Sequence, residues 1–141
     1  MPGTQLSAID TTVQKTRQWI NEIMSELDWD DPDKAYAALR IVLQALRDRL
    51  SVDEATDLAS QLPTLIRGIY FESWKPRSVP VRQHSLTEFL APVAQRFSGE
   101  PSMDSERICR SVMKVLASHV SEGEIDDIKA CLPEEIRDLW N

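Results

Sequence analysis

The sequence predicts an all-α protein of about eight helices, arranged as two tandem four-helix units in one compact bundle. Apolar residues recur at spacings of three and four between residues that commonly begin helices. The second half of the chain repeats the first at a constant offset of 70 residues. No segment favours a strand, because the short apolar runs lie within helical periodicity and Pro80 interrupts Val79 and Val81.

The repeat is clearest between Arg40 and Arg67, where ten of 28 positions are identical to the residue 70 positions later. The matched pairs are Arg40 and Arg110, Val42 and Val112, Leu46 and Leu116, Ser51 and Ser121, Glu54 and Glu124, Asp57 and Asp127, Leu62 and Leu132, Pro63 and Pro133, Ile66 and Ile136, and Arg67 and Arg137. The first helix of each unit has no identical residue, yet the apolar positions coincide. They are Trp19, Ile20, Ile23, Met24 and Leu27, aligned with Phe89, Leu90, Val93, Ala94 and Phe97.

We therefore predict a single domain over residues 1–141, with unit one at about 11–74, a linker at 75–84 and unit two at about 85–141. Pro76 and Pro80 favour an extended linker. Short helices cannot bury their apolar stripes alone, so we expect the units to pack against each other about a pseudo-two-fold axis. Neither unit should fold stably by itself.

In the first unit, each helix has a recognisable start. The first helix is predicted from about Thr12 to Leu27. Asp31 before Pro32 begins the second, since Asp accepts hydrogen bonds from free N–H groups and Pro at the first position lacks one. Ser51 to Glu54 has the spacing of a capping box, in which the serine and glutamate side chains each bind a free backbone N–H of the third helix. Pro63 opens the fourth.

The second unit uses the same signals. Ser85 to Glu88 and Ser121 to Glu124 have capping-box spacing, a helix is predicted from about Asp104 to Val120, and Pro133 opens the last helix. Four tryptophans are expected at or near helix ends, where an indole can bury its ring and keep its N–H near a partner. These are Trp19, Trp29, Trp74 and Trp140.

The composition is that of an ordinary globular protein, with 42% hydrophobic and 28% charged residues. No apolar run approaches the roughly 20 residues of a membrane helix. Met1 to Asp10 lacks the pattern of a signal peptide, so we expect a cytoplasmic protein. A net charge of -7 at pH 7 disfavours nucleic acid and anionic membranes as partners. The sequence leaves the oligomeric state open.

The two cysteines, Cys109 and Cys131, are too few to indicate a disulfide framework. Cys109 aligns with the apolar core position Leu39, so we expect it to be buried. Cys131 aligns with the polar Gln61 and is expected to be more exposed. A reactive thiol there would still need a histidine brought close by the fold.

The segment ALRIVLQALRDRLS is followed by EATDLASQLPTLIRGIYFESW, and VMKVLASHVSEGEIDDIKACLPEEIRDLW echoes this order. The pattern resembles the bacterial family known as domain of unknown function 2267, over nearly the whole chain. Its most specific part is the doubled segment at Ser51–Arg67 and Ser121–Arg137, with Ser, Glu, Asp, Leu-Pro and Ile-Arg in the same order. The resemblance implies a helical tandem-repeat fold and a bacterial source. It implies no activity and carries over no catalytic residue.

Metal sites are not indicated by the sequence. Neither His84 nor His119 has the Glu three residues earlier that the ligand pair of di-iron helical bundles requires. An acidic run from Asp28 to Asp33 has the wrong residues for a calcium loop, since Pro32 and Leu39 stand where oxygen ligands are needed. We predict no metal and no cofactor. A haem ligated by His119 is disfavoured because the aligned residue, Arg49, suggests a surface position.

Known nucleotide-binding and catalytic motifs are absent from the sequence. The four glycines, Gly3, Gly68, Gly99 and Gly123, are too scattered for a phosphate-binding loop. There is no Gly-x-Ser-x-Gly elbow. A helix-turn-helix is disfavoured in the second unit because carboxylates would face the phosphates. With no catalytic constellation, we do not predict an enzyme.

Several polar residues are repeated in both units, and we interpret them as structural. They are Arg40, Asp57 and Arg67, with Arg110, Asp127 and Arg137. An ion pair within each unit would need the same residues twice, whereas a functional site in a monomer rarely does. We expect Asp57 to pair with an arginine, and Asp127 likewise.

The leading functional hypothesis is a non-enzymatic protein-interaction module whose partner is an unidentified protein. The linker supplies a basic surface of Lys75, Arg77 and Arg82, and Trp74 beside it could serve as an aromatic anchor or could instead pack within the fold. The alternative is a small-ligand sensor or carrier with a pocket between the two units. A bound small molecule in gently purified protein would distinguish the second hypothesis from the first.

Overall fold

A computed structural model of the chain describes residues 6–82, 85–100 and 103–141. Within these ranges the protein contains eight α-helices, two short 3-10 helices and no strand, which confirms the predicted all-α class. The α-helices are α1 (Ser7–Leu27), α2 (Pro32–Asp48), α3 (Val52–Ala59), α4 (Thr64–Phe71), α5 (Leu86–Arg96), α6 (Ser105–His119), α7 (Glu122–Ala130) and α8 (Glu134–Arg137). The 3-10 helices span Pro76–Ser78 and Asp138–Trp140.

The predicted helix starts follow from local hydrogen bonds. The Asp31 carboxylate accepts from the Asp33 N–H at 2.9 Å, and Pro32 takes the first position of α2. Ser51 and Ser121 each cap their helix by accepting, at 3.2 Å, from the N–H of the glutamate three residues later. Ser85 does the same at 3.1 Å.

The second half of the capping-box prediction is wrong at both Ser51 and Ser121, because among the described residues neither N–H donates to the glutamate side chain three residues later. The Ser121 N–H donates to Gln61 Oε1 at 2.8 Å rather than to the Glu124 side chain. One carboxylate oxygen of Glu124 and one of Glu54 are buried without a hydrogen-bond partner among the described residues.

Helix α1 begins at Ser7, earlier than the predicted start at Thr12. The hydroxyl oxygen of Thr12 accepts from the N–H of Leu65 at 2.8 Å, so it serves the start of α4, where Pro63 offers no side-chain cap. Trp19 lies in the middle of α1, so the expectation that it lies near a helix end is wrong.

Buried residues of both halves form one hydrophobic cluster. Trp19, Tyr70 and Phe89 are among its largest side chains. Helix α1 packs against α2, α4 and α6, while α3 packs against α7. No helix in the described ranges combines the length and apolarity needed to cross a membrane.

The linker is not extended throughout, although its prolines predicted an extended segment. It contains the 3-10 helix Pro76–Ser78 and becomes extended at Val79. The N–H of Val81 donates to the Asp48 C=O at 2.8 Å, which fixes the linker against the end of α2. The end of the predicted linker, including His84, lies outside the described residues.

Candidate functional site

A groove that we call the open cleft lies between α1, the α3–α4 turn and the end of α6. Its cavity volume is about 380 Å³. The lining residues are Lys15, Gln18, Trp19, Ser60, Gln61, Leu62, Pro63 and His119. A larger cavity of about 580 Å³ is bounded by α1 alone, so it is an open helix face rather than a cleft.

His119 forms one wall of the open cleft. Its ring stacks on the buried Trp19 indole, with centroids 4.7 Å apart and planes at 15°. Its Nε2 lies 2.7 Å from the Glu22 carboxylate, which orients the ring. The predicted surface character of this position is wrong: the His119 side chain is 23% exposed and the aligned Arg49 is 8% exposed. Each of these polar groups covers an aromatic ring, which the sequence alignment did not reveal.

Gln61 joins the two halves at the open cleft. Its Nε2 donates to Ser121 Oγ at 3.2 Å, and its Oε1 accepts from the Ser121 N–H at 2.8 Å. Two hydrogen bonds hold the amide in one orientation. The cleft therefore has a positioned polar side chain opposite the ring of His119.

Cationic side chains line this region. An adjoining cavity of about 470 Å³, which we call the adjoining pocket, shares Lys15, Leu62 and Pro63 with the open cleft and adds Arg67. No Asp or Glu is among the described residues that line either cavity. This local balance is opposite to the net charge of -7 of the whole chain.

The second half has a related groove, which we call the linker cleft. It is lined by Arg49, Val79–Arg82, Cys131 and Pro133 and has a volume of about 300 Å³. Under the 70-residue offset, Arg49, Cys131 and Pro133 correspond to His119, Gln61 and Pro63 of the open cleft.

The resemblance between the two clefts includes their aromatic contacts. The Arg49 guanidinium lies 4.9 Å from the centre of the Phe89 ring, as His119 lies over Trp19. The difference is that the linker forms one wall of the linker cleft, whereas none of the described linker residues, 75–82, lines the open cleft. At the positions aligned with Val79–Arg82, the first half continues α1.

The predicted interaction surface at the linker is only partly exposed. Lys75, Arg77 and Arg82 are exposed, and Arg82 also lines the linker cleft. Trp74 is partly buried against the core, with its ring 5.0 Å from that of Phe71. Its Nε1 is buried without a hydrogen-bond partner among the described residues. Binding by this surface stays a prediction.

The repeated arginines Arg67 and Arg137 make matching contacts. Arg67 donates to the C=O groups of Ala59 and Leu62 at 2.9 and 3.1 Å. Arg137 donates to those of Lys129 and Leu132 at 3.0 and 2.8 Å. Each guanidinium therefore binds two carbonyls at or just beyond the end of α3 or α7, where free carbonyls are common. The C=O groups of Ala59 and Lys129 also accept from the N–H groups of Leu62 and Leu132 at 3.1 Å.

The other repeated arginines contact different groups. Arg40 pairs with Glu72 at 3.0 Å. Arg110 pairs with Glu106 at 3.2 Å and donates to the C=O groups of Asp138 and Asn141 at 3.0 and 2.8 Å. These contacts connect helices or helix ends within each half.

The expected pairing of Asp57 and Asp127 with arginines is wrong for the described residues, since neither carboxylate forms an ion pair there. Both aspartates lie on α3 and α7, which pack together. The arginines bind backbone carbonyls or glutamates instead. The sequence identified the repeated residues but not their partners.

Glu54 and Glu124 form a second feature that the sequence did not reveal. Glu54 Oε2 and Glu124 Oε1 are both buried without a hydrogen-bond partner among the described residues. Burial, followed by the negative charges of Asp127, Asp57 and Asp53, raises the pKa of Glu54. Burial, followed by the charge of Glu54, raises the pKa of Glu124. The packed helices thus hold several carboxylates close together.

The cysteines show no sign of activation. Cys109 is fully buried, and burial raises the pKa of its thiol to about 12. Cys131 is exposed, as expected from its alignment with Gln61, and its pKa is also raised, chiefly by partial burial and then by Glu54. In the described ranges, no group of three or more His, Cys, Asp or Glu is arranged to hold a metal ion.

The chain matches a known protein family over most of its length. The family described as "Uncharacterized conserved protein (DUF2267)" matches residues 16–139. The chain belongs to this family. The DUF2267 match includes Trp19, Gln61 and His119 of the open cleft, while Lys15 lies just before it. No curated protein matches this DUF2267 chain.

Proposed function

We propose that this protein is a non-enzymatic protein-interaction module that binds an extended segment of a partner in the open cleft. The observation that carries the proposal is the difference between the two clefts. The chain's own linker lies against the linker cleft, whereas no segment of the described residues takes the same place at the corresponding groove of the first half. A partner segment would occupy the place of the missing linker wall.

The backbone contact of the linker suggests how such a segment binds. Val81 donates its N–H to the Asp48 C=O near the end of α2. The residue aligned with Asp48 is Ser118, in the last turn of α6. Main-chain hydrogen bonds of this kind give affinity for an extended segment without demanding a particular side chain. The positioned Gln61 amide and the His119 ring add polar and aromatic contacts.

The chemistry of the open cleft favours binding over catalysis. His119 is engaged with Glu22 and Trp19, and no activated thiol lies beside it. The lining is largely polar and open on one side, which suits a polypeptide better than an apolar cofactor. A small ligand held between the two halves is the alternative, and it is one outcome of the test below.

We also propose a cytoplasmic location. Cys109 and Cys131 are both free thiols, and Cys131 is exposed. Unpaired cysteines are typical of a reducing compartment, where disulfides rarely persist.

The test blocks the open cleft without disturbing the core. Gln18 is an exposed cleft residue on α1, so Gln18→Trp places a large ring in the groove. Gln14→Trp is the matched control, because Gln14 is exposed on the same helix but does not line the cleft. A third variant, Lys75→Ala with Arg77→Ala, removes charge from the linker surface.

Each variant and the wild type are used to capture proteins from cells of the source organism, and the captured proteins are identified by mass spectrometry. We expect one protein to be retained by the wild type, the Gln14→Trp control and the linker variant, and to be lost with Gln18→Trp. Loss with the linker variant alone would assign binding to that surface instead. A small molecule in the native mass of the wild type, absent from Gln18→Trp, would favour the ligand-carrier alternative.

A further inference from the structure

The open cleft has a charge pattern that selects among extended segments. We infer that the segment it binds is acidic and that Lys15 binds one of its carboxylates. This inference rests on the proposed function and adds the chemistry of the partner. It is drawn from the residues that line the cleft and from their counterparts in the second half.

Lys15 is the most available cation of the region. It is exposed, lines both the open cleft and the adjoining pocket, and forms no ion pair within the described part of the chain. Arg67 lies along the adjoining pocket, although its guanidinium already donates to two carbonyls. An acidic segment would place its negative charge where the protein offers positive charge and no lining carboxylate.

His119 contributes less charge than its position suggests. Its Nε2 faces the Glu22 carboxylate at 2.7 Å, so any positive charge on the ring is balanced locally. The carboxylate of the partner is therefore expected at the Lys15 end of the cleft. The His119 end offers its ring and the Gln61 amide for contacts that do not depend on charge.

The second half has no counterpart of Lys15, because the aligned residue is Ser85. Its acidic residues Asp48 and Glu88 lie beside Val81 in a cavity that also contains Arg47 and Arg49. Arg47 pairs with Asp48 at 2.9 Å, so these charges are balanced within the protein. Lys15 is therefore a cation that is specific to the open cleft.

The experiment uses three fluorescently labelled peptides with the sequence of residues 76–82. One is native, one carries Arg77→Glu and Arg82→Glu, and one carries Arg77→Gln and Arg82→Gln. Binding to the full-length protein is measured by fluorescence anisotropy at low and at raised salt. We expect the acidic peptide to bind about two- to fivefold more tightly than the neutral one, the range expected for one exposed charge pair, and to lose this advantage at raised salt.

The variant Lys15→Gln removes the proposed charge contact, and Lys75→Gln is the control with an exposed lysine outside the cleft. The preference for the acidic peptide should disappear with Lys15→Gln and remain with Lys75→Gln. Circular dichroism checks that both variants fold.

The failures are distinguishable. The inference of an acidic partner is overturned if the neutral and acidic peptides bind equally, or if the native peptide binds more tightly. If Gln18→Trp abolishes that binding, the open cleft is still shown to bind peptides. Binding that persists in Gln18→Trp, or no binding by any peptide, overturns the cleft itself and the proposed function with it.

Discussion

The imidazole of His119 lies face to face with the indole of Trp19, with ring centroids 4.7 Å apart. The two residues come from α6 and α1, on opposite sides of the linker in sequence. Trp19 is almost fully buried, so the histidine covers an aromatic surface that would otherwise face the open cleft. This contact ties the two halves together at the proposed binding site.

Replacing this histidine should destabilise the protein. His119→Ala removes the stack on Trp19 and the hydrogen bond to Glu22, and we expect the free energy of unfolding to fall by about 1–2 kcal/mol. Urea denaturation measures the change. Lys114→Ala, on the same helix, removes an exposed ion pair with Glu26 and should cost less than about 1 kcal/mol. Equal effects of the two substitutions would contradict a stabilising role for the stack.

The buried glutamates predict an unusual dependence of stability on pH. The pKa values of Glu54 and Glu124 are raised in the folded protein, so the folded state holds these protons more tightly than the unfolded state. Ionising these two glutamates therefore destabilises the folded protein. The effect is absent below the ordinary carboxyl pKa, and it grows as the pH rises from there through the raised pKa values of Glu54 and Glu124. Glu124→Gln should therefore increase the free energy of unfolding at neutral pH by about 1 kcal/mol and reduce its pH dependence.

Thermal unfolding across the acidic to neutral range measures this effect. Glu122→Gln is the control, since Glu122 lies on the same helix but is exposed. A loss of stability at neutral pH in Glu124→Gln, with the wild-type pH dependence retained, would show that the buried carboxylate is stabilising.

The carbonyl-binding arginines should matter more than the exposed ion pairs. Arg67→Met or Arg137→Met removes two charge-assisted hydrogen bonds and takes the side-chain donor from the Leu62 or Leu132 C=O, so we expect each to cost about 1–3 kcal/mol. Arg40→Met removes a pair whose side chains are 41% and 52% exposed, so its cost should stay below about 1 kcal/mol. Chemical denaturation of the three variants provides the comparison. A larger loss for Arg40→Met than for the other two would reverse the ranking.

The two units should depend on each other for folding. The hydrophobic cluster includes residues from both halves, and Gln61 binds Ser121 across them. Peptides covering residues 11–74 and 85–141 should therefore have little helix alone by circular dichroism and gain helix when mixed. Full helicity of either peptide alone would mean that one unit is an independent domain.

The sequence predicted the features that depend on neighbouring residues. Asp31, Ser51 and Ser121 cap their helices because the caps are set by residues two or three positions away. The alignment of Cys109 with Leu39 also predicted burial correctly, since both are fully buried. Periodicity identifies the buried face of a helix even when the side chains differ.

Features that depend on distant residues could not be predicted. Thr12 has a common capping side chain, but nothing nearby in sequence indicates that its hydroxyl binds Leu65. The stack of His119 on Trp19 likewise requires α1 and α6 to pack together so that these two residues lie side by side. Periodicity shows which face is buried but not which side chain meets it, so the open cleft became visible only in three dimensions.

The hydrogen bond from the Leu65 N–H to Thr12 Oγ1 makes that amide a natural spectroscopic reporter. Thr12 lines the adjoining pocket, and Leu65 directly follows Thr64, which also lines it. Fraying of the first turns of α1 would expose the amide to solvent and speed its exchange with deuterium. A segment bound along this wall would slow the exchange, so one resonance could follow occupancy in solution.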